Sequence, residues 1–168
     1  VYAGQSGNPT TTGKAAFDQW FNDVAGVNKK TLLPLQLTKS GGNVYTYDNS
    51  AFFPIDSTLW GNEGNPHNFH FTFELHTKFV YLGGEVFTFT GDDDLWVFIN
   101  KKLAIDLGGV HGAMNGQVDL DAKASELGIQ KGQTYPLDFF FAERHTSESN
   151  FRIDTTIASF VDCGPVVQ

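Results

Sequence analysis

At 168 residues, 40% of them hydrophobic and with 16 Phe and 3 Trp, the chain has material for one sizeable core and is excluded from the disordered class. Its 19 acidic against 11 basic residues give a formal charge of -8, which repels phosphate backbones and anionic headgroups and excludes nucleic acid as a natural partner. No apolar run reaches the roughly 18 residues of a membrane span, so no membrane insertion is expected. The single cysteine, Cys163, excludes a disulfide framework or a Cys-rich zinc site within this stretch.

Residues 1–13 read as a linker or leader, because Gly, Asn, Thr and Ser with Pro9 dominate from Gly4 to Gly13. From Lys14 to Val24, the apolar Ala16, Phe17, Trp20, Phe21 and Val24 recur at helical spacing and predict a short amphipathic helix packed on a sheet. Short β-rich runs follow, bounded by Gly, Asn, Asp or Pro: Leu32 to Leu37, Val44 to Tyr47, Phe69 to Leu75, Phe79 to Tyr81, Val86 to Thr90, Trp96 to Ile99 and Leu103 to Leu107. Leu120 to Leu127 reads as one or two helical turns ended by Gly128, and two more strands are predicted at Tyr135 to Phe141 and Phe151 to Phe160. Phe69, Phe71 and Phe73 alternate with His70, Thr72 and Glu74, as half-buried antiparallel strands require.

The expected fold class is therefore all-β: one antiparallel β-sandwich over residues 14–162, with decorating loops and one or two short helices. Residues 163–168, with Cys163 beside Gly164 and Pro165, read as a boundary segment, and the chain as a module of a longer multidomain protein. No repeat of twenty to fifty residues is present, which excludes a solenoid or propeller.

The densest charge is Asp92, Asp93 and Asp94, after Gly91 at a strand end. Three adjacent carboxylates repel one another, and either a divalent cation relieves that repulsion or the side chains bond nearby backbone N–H groups in a solvated turn. The apolar run that follows excludes an EF-hand, so further ligands must come from distant loops. Glu143 to Asn150 is a polar loop able to supply them or to be an ordinary exposed hairpin, and Asp106 to Gly112 combines three glycines with His111. No nucleophile elbow, phosphate loop or zinc-protease motif occurs, and no catalytic residue is expected. The enzyme alternative is a glycoside hydrolase using Asp93 and Glu143 as paired carboxylates.

The segments Phe52 to Asp56, His67 to Thr72, Phe89 to Asn100, Asp106 to His111 and Leu137 to His145 resemble, in this order, the fibro-slime domain, and the likeness spans roughly Ala16 to Ile157. That domain is a branch of the PA14 (protective-antigen-type) superfamily of β-sandwiches, which includes calcium-dependent adhesin lectins. The resemblance implies that Asp92 and Asp93 are joined by a cis peptide and bind Ca²⁺, whose open positions take vicinal hydroxyls of a sugar. By the same transfer Glu143 supplies a side-chain oxygen to the ion and His145 and Ser147 supply carbonyls. Asp92, Asp93, His111, His145, Ser149 and Asn150 are the sugar-binding candidates; Trp60 or Tyr81 would offer an apolar face if near, and a place in the core or at the rim is the other reading of both. Two departures stand out: Asp94 occupies a Gly position of the pattern and crowds a third carboxylate beside the ion, and Asn100-Lys101 replaces Asp-Gly. Glu143 stands where lectin members often have Asn, and pairing with Arg144 is its alternative. The implied function is a calcium-dependent carbohydrate-binding module of an extracellular, secreted or cell-surface adhesin. Its rival is a Ca²⁺-stabilised structural or protein-binding module.

Overall fold

A computed structural model describes residues 11–162. In chain order the elements are α1 (Lys14–Phe17), β1 (Thr38–Gly41), β2 (Val44–Asn49), β3 (Phe71–Tyr81), β4 (Val86–Gly91), β5 (Asp94–Ile99), β6 (Lys102–Leu107), β7 (Met114–Asp119), α2 (Leu120–Leu127), β8 (Gln133–Glu143), β9 (Phe151–Thr155) and β10 (Phe160–Asp162). The strands form two five-stranded antiparallel sheets, ordered β1-β2-β9-β4-β7 and β10-β3-β8-β5-β6, and the protein is the expected all-β sandwich with two short helices.

Period-two alternation builds the core. On β8 the buried Leu137, Phe139 and Phe141 face inward, and on β5 Ile99, Val97 and Leu95 do so in register with them. From the opposite sheet Phe89, Phe151 and Ile153 meet this layer, with Phe89 and Phe139 ring centroids 5.7 Å apart. The Phe excess is mostly this inter-sheet layer, where edge-to-face pairs pack large apolar area.

Four connections pass from one sheet to the other at the same end of the sandwich, residues 50–70 from β2 to β3 and 108–113 from β6 to β7 among them. Asp92 and Asp93 link β4 to β5, and residues 144–150 link β8 to β9. The acidic segment and the polar loop, far apart in sequence, thereby become neighbours.

Several elements differ from the sequence expectation. The helix predicted from Lys14 to Val24 stops at Phe17. Beyond it, Asn22 bonds back to the Asp18 carbonyl and Asn28 accepts from the Val24 N–H, local side-chain bonds that replace a helical ladder. The segment still docks on a sheet: Phe17 packs edge-on to Trp96 and Phe21 to Phe140 on its outer face. Leu32 to Leu37 is not a strand; Leu33, Leu35 and Leu37 pack against the core from irregular chain, and Pro34 can donate no ladder bond. The runs at Phe69 to Leu75 and Phe79 to Tyr81 are one strand, β3. The Phe151 to Phe160 run is two, because the chain changes sheet between β9 and β10. β7 was not anticipated at all. Most of the leader expected at 1–13 and all of 163–168, with Cys163, lie outside the described residues.

Candidate metal centre

The core's own alternation runs out into carboxylates. Leu137, Phe139 and Phe141 lead along β8 to Glu143, which pairs with Phe71 of β3. Ile99, Val97 and Leu95 lead back along β5 to Asp93, one residue before the strand starts. With Leu95 opposite Phe141, Asp93 and Glu143 form the next inward layer at the end of the sandwich. Asp92, Asp93, Asp94 and Glu143 are all buried, at 4%, 1%, 2% and 1% exposure, so each negative charge needs compensation. The peptide between Asp92 and Asp93 is cis.

Each carboxylate has its own partners. Asn150 donates its backbone N–H to Asp92 Oδ1 at 2.6 Å and its side-chain amide to Oδ2 at 2.9 Å. Asp93 accepts the backbone N–H groups of His111 and Arg144, each at 3.1 Å. Asp94, which sequence reasoning crowded beside the ion, points away instead: it accepts from Gly109 N–H and from the Arg144 guanidinium, which lies 5.0 Å from the Trp20 ring centroid. Arg144 therefore pairs with Asp94 and not with Glu143. Glu143 Oε1 accepts from His145 N–H at 3.1 Å, and Oε2 is the one buried side-chain polar atom among the described residues with no hydrogen-bond partner.

Burial pushes the Glu143 carboxyl up to about 8; the nearby Ser149 hydroxyl and the His145 N–H oppose the rise, and the Asp93 and Asp92 carboxylates add to it. Burial likewise pushes Asp93 up, with the His111 and Arg144 N–H groups opposing it and Asp94 adding. A carboxyl group held away from its ordinary range by burial and like charge, with an orphaned oxygen, is the environment that a hard cation with oxygen ligands fits. No three His, Cys, Asp or Glu side chains among the described residues, Asp92, Asp93 and Glu143 included, stand as a ready-made cage, so these carboxylates would have to close on an ion, with main-chain carbonyls and water completing a six- to eight-fold shell. Asp92, Asp93 and Glu143 are the side chains that would hold it.

A pocket of about 350 Å³ opens over these groups, closed on its other side by the 110–112 turn, His145, Ser147 and Glu148. Of the sequence-derived candidates, Asp92, Asp93, Glu143, His111, His145 and Ser147 thus line one cavity. Three of the sugar-binding candidates, His111, Ser149 and Asn150, take other roles. The His111 ring nitrogens face the carbonyls of Gly112 and Leu107, both at 2.9 Å, so the ring is folded onto its own turn and His111 meets Asp93 through its backbone N–H. Ser149 is 1% exposed and gives its single hydroxyl proton to the Phe52 carbonyl at 2.8 Å, which makes it an anchor for the loop and leaves it no donor for a sugar. Asn150 is committed to Asp92. Tyr81 is buried at the far end of β3 with its hydroxyl on Asp121, and Trp60 bonds the Val27 carbonyl under Lys29; neither lines the cavity. Sequence reasoning missed Glu148 as a wall of the pocket, although its carboxylate sits in the loop already singled out. The Arg144–Asp94 pair was missed because the sheet's outer face, where they meet, is not visible from spacing.

Residues 38–164 match the PA14 domain. The chain is similar to three Dictyostelium discoideum proteins: psiR, 43% identical over 96% of this chain, psiQ, 43% over 88%, and psiD, 42% over 95%. It spans 18%, 16% and 33% of their respective lengths. No solved structure matches it significantly. On the extent of the family match, over strands that build both sheets and both connections of the site, this chain belongs to the PA14 domain family.

Proposed function

We propose that the chain is a calcium-dependent carbohydrate-binding module of a secreted or cell-surface adhesin, of the fibro-slime branch. Family membership supports a carbohydrate-binding or adhesion-type module. The observation that carries the finer reading is the buried, partnerless Glu143 Oε2 beside Asp92 and Asp93 under an open pocket. A bound Ca²⁺ would supply open coordination positions to two adjacent hydroxyls of a sugar. The chain's own part is to hold the carboxylates rigid: Asn150 fixes Asp92, the His111 and Arg144 N–H groups fix Asp93, and the His145 N–H fixes one oxygen of Glu143. His145, Ser147 and Glu148 then offer polar groups to the rest of a sugar ring. Monosaccharide sites of this open kind bind weakly, so repetition within a longer protein would supply avidity.

The test is calorimetric titration of Ca²⁺ into chelator-treated protein, wild type and Asp92→Asn/Asp93→Asn, followed by a glycan array with and without the ion. Saturable uptake by wild type alone, with calcium-dependent glycan signal, is the expected result. A wild type that takes up no ion refutes the proposal. Uptake that raises the melting temperature with no glycan signal replaces it with the structural or protein-binding reading.

A further inference from the structure

A second, larger groove of about 540 Å³ adjoins the carboxylate pocket, and Ser147 and Glu148 line both. Its floor carries Phe53 and His67, whose rings are stacked 4.0 Å apart at an angle of 7°. Phe69 meets both rings edge-on, at 5.0 and 5.9 Å. His67 is fixed by Asp56, which takes the ring Nδ1 at 2.5 Å on one oxygen and the Asn68 N–H at 2.7 Å on the other. The His67 side chain is nevertheless 45% exposed, and the rim of the groove is polar: Ser50, Thr146 and Glu148.

A held, partly exposed aromatic pair inside a polar rim is chemically two-sided. Its face suits the C–H face of a pyranose and its rim suits the equatorial hydroxyls, whereas an apolar peptide or lipid would strand the rim groups unpaired. The shared Ser147–Glu148 wall makes the groove continuous with the candidate sugar site. We infer that this groove is a second sugar subsite, in which the Phe53–His67 pair stacks the next ring of an oligosaccharide whose first ring sits over Asp92, Asp93 and Glu143. The inference rests on the proposed carbohydrate function, and it makes the chain a reader of linkages as well as of terminal sugars. His67 is accordingly a specificity-determining residue.

The experiment compares methyl α-mannoside, methyl α-glucoside and methyl β-galactoside with mannobioses, maltose, cellobiose and lactose, by calorimetry in Ca²⁺ and in chelator. The proteins are wild type, His67→Asn, which keeps a donor for Asp56 but loses the ring, and His67→Phe, which keeps the ring. Thermal melts establish that each variant is folded. At least one disaccharide should bind wild type about ten-fold more tightly than its monosaccharide. His67→Asn should erase that gain without changing monosaccharide binding, and His67→Phe should restore most of it. Calcium-dependent monosaccharide binding with no disaccharide gain, or a gain that His67→Asn leaves intact, overturns the subsite and leaves the proposed function standing. Disaccharide binding that persists in chelator and is lost in His67→Asn supports the groove and overturns the calcium reading. No sugar binding in any arm overturns both.

Discussion

Asn150 and Asp92 hold each other from opposite sheet connections: the Asn150 N–H and amide both donate to the Asp92 carboxylate, at 2.6 and 2.9 Å, and Asp92 N–H returns to the Asn150 carbonyl at 3.3 Å. Removing only the amide, in Asn150→Ala, leaves the backbone bonds and frees one carboxylate oxygen to rotate. Calcium affinity should fall about ten-fold while the fold survives. Calorimetry of wild type and variant reads this directly.

Ser149 separates folding from binding. Its hydroxyl is buried on the Phe52 carbonyl. Ser149→Ala should cost about 1–2 kcal/mol in urea unfolding, yet leave the glycan affinity of the folded protein unchanged. A glycan defect without a stability change would return Ser149 to the sugar.

Glu143 gives the metal-free protein a pH dependence of known sign. Burial holds its folded carboxyl near 8 against an ordinary 4.5. Between those values the unfolded chain ionises the group while the folded chain keeps its proton, so stability is full below 4.5 and falls as pH rises towards 8. In chelator, the melting temperature should drop from pH 5 to pH 8.5, and Glu143→Gln should flatten the drop and melt about 5 °C higher than wild type at pH 8.5. Proton and ion compete for the same oxygens, so calcium affinity should rise over the same interval.

Arg144 neutralises Asp94 where both side chains are nearly inaccessible, at 14% and 3% exposure. Arg144→Met strands a buried carboxylate and should cost about 3–5 kcal/mol. Adding Asp94→Asn should recover most of it. A loss under 1 kcal/mol in denaturant titration would show the pair to be no stronger than a surface bridge.

Gly91 lies where a side chain has no room: a Cβ there would stand 2.2 Å from the Asn150 carbonyl and 2.6 Å from the Phe89 ring. Gly91→Ala should destabilise by about 2 kcal/mol and, by displacing Asn150, weaken calcium binding as well. Gly41→Ala, which meets nothing within 4 Å, is the control and should do neither.

The legible parts of this chain were those in which side-chain chemistry repeats along one strand. Alternating Phe at 69–73 declared the sandwich, and Gly128 marked the end of α2, where it closes in the left-handed region; the start, at which the Asp119 side chain accepts from Ala122 N–H, went unread. β7 hid because an inward position is Gly116, required by the Ile105 and Leu107 side chains that fill its Cβ space, so the strand carries no alternating apolar signal. Leu32 to Leu37 misled for the converse reason: its alternation reports burial of every second side chain, which irregular chain beside Pro34 achieves without a ladder. At the site, the resemblance placed Asp92, Asp93 and Glu143 together, but one-dimensional reading could not tell which way a polar side chain turns. Ser149 and Asn150 face the protein, and Asp94 faces Arg144.

Two of the links between the sheets at this end of the molecule, 92–93 and 144–150, meet where the residues that would grip an ion lie: Asp92 and Asp93 in the first link, Glu143 on the last residue of β8 before the second. Whatever fastens Asp92 and Asp93 to Glu143 also fastens one layer of the sandwich to the other, in a chain whose described residues contain no disulfide. Under tension, were the module part of a tether pulled by a flowing medium or a neighbouring cell, such a fastening would act as a removable staple. Withdrawing calcium would then lower the force at which the module comes apart as well as its hold on a glycan, so adhesion and mechanical strength would switch off together.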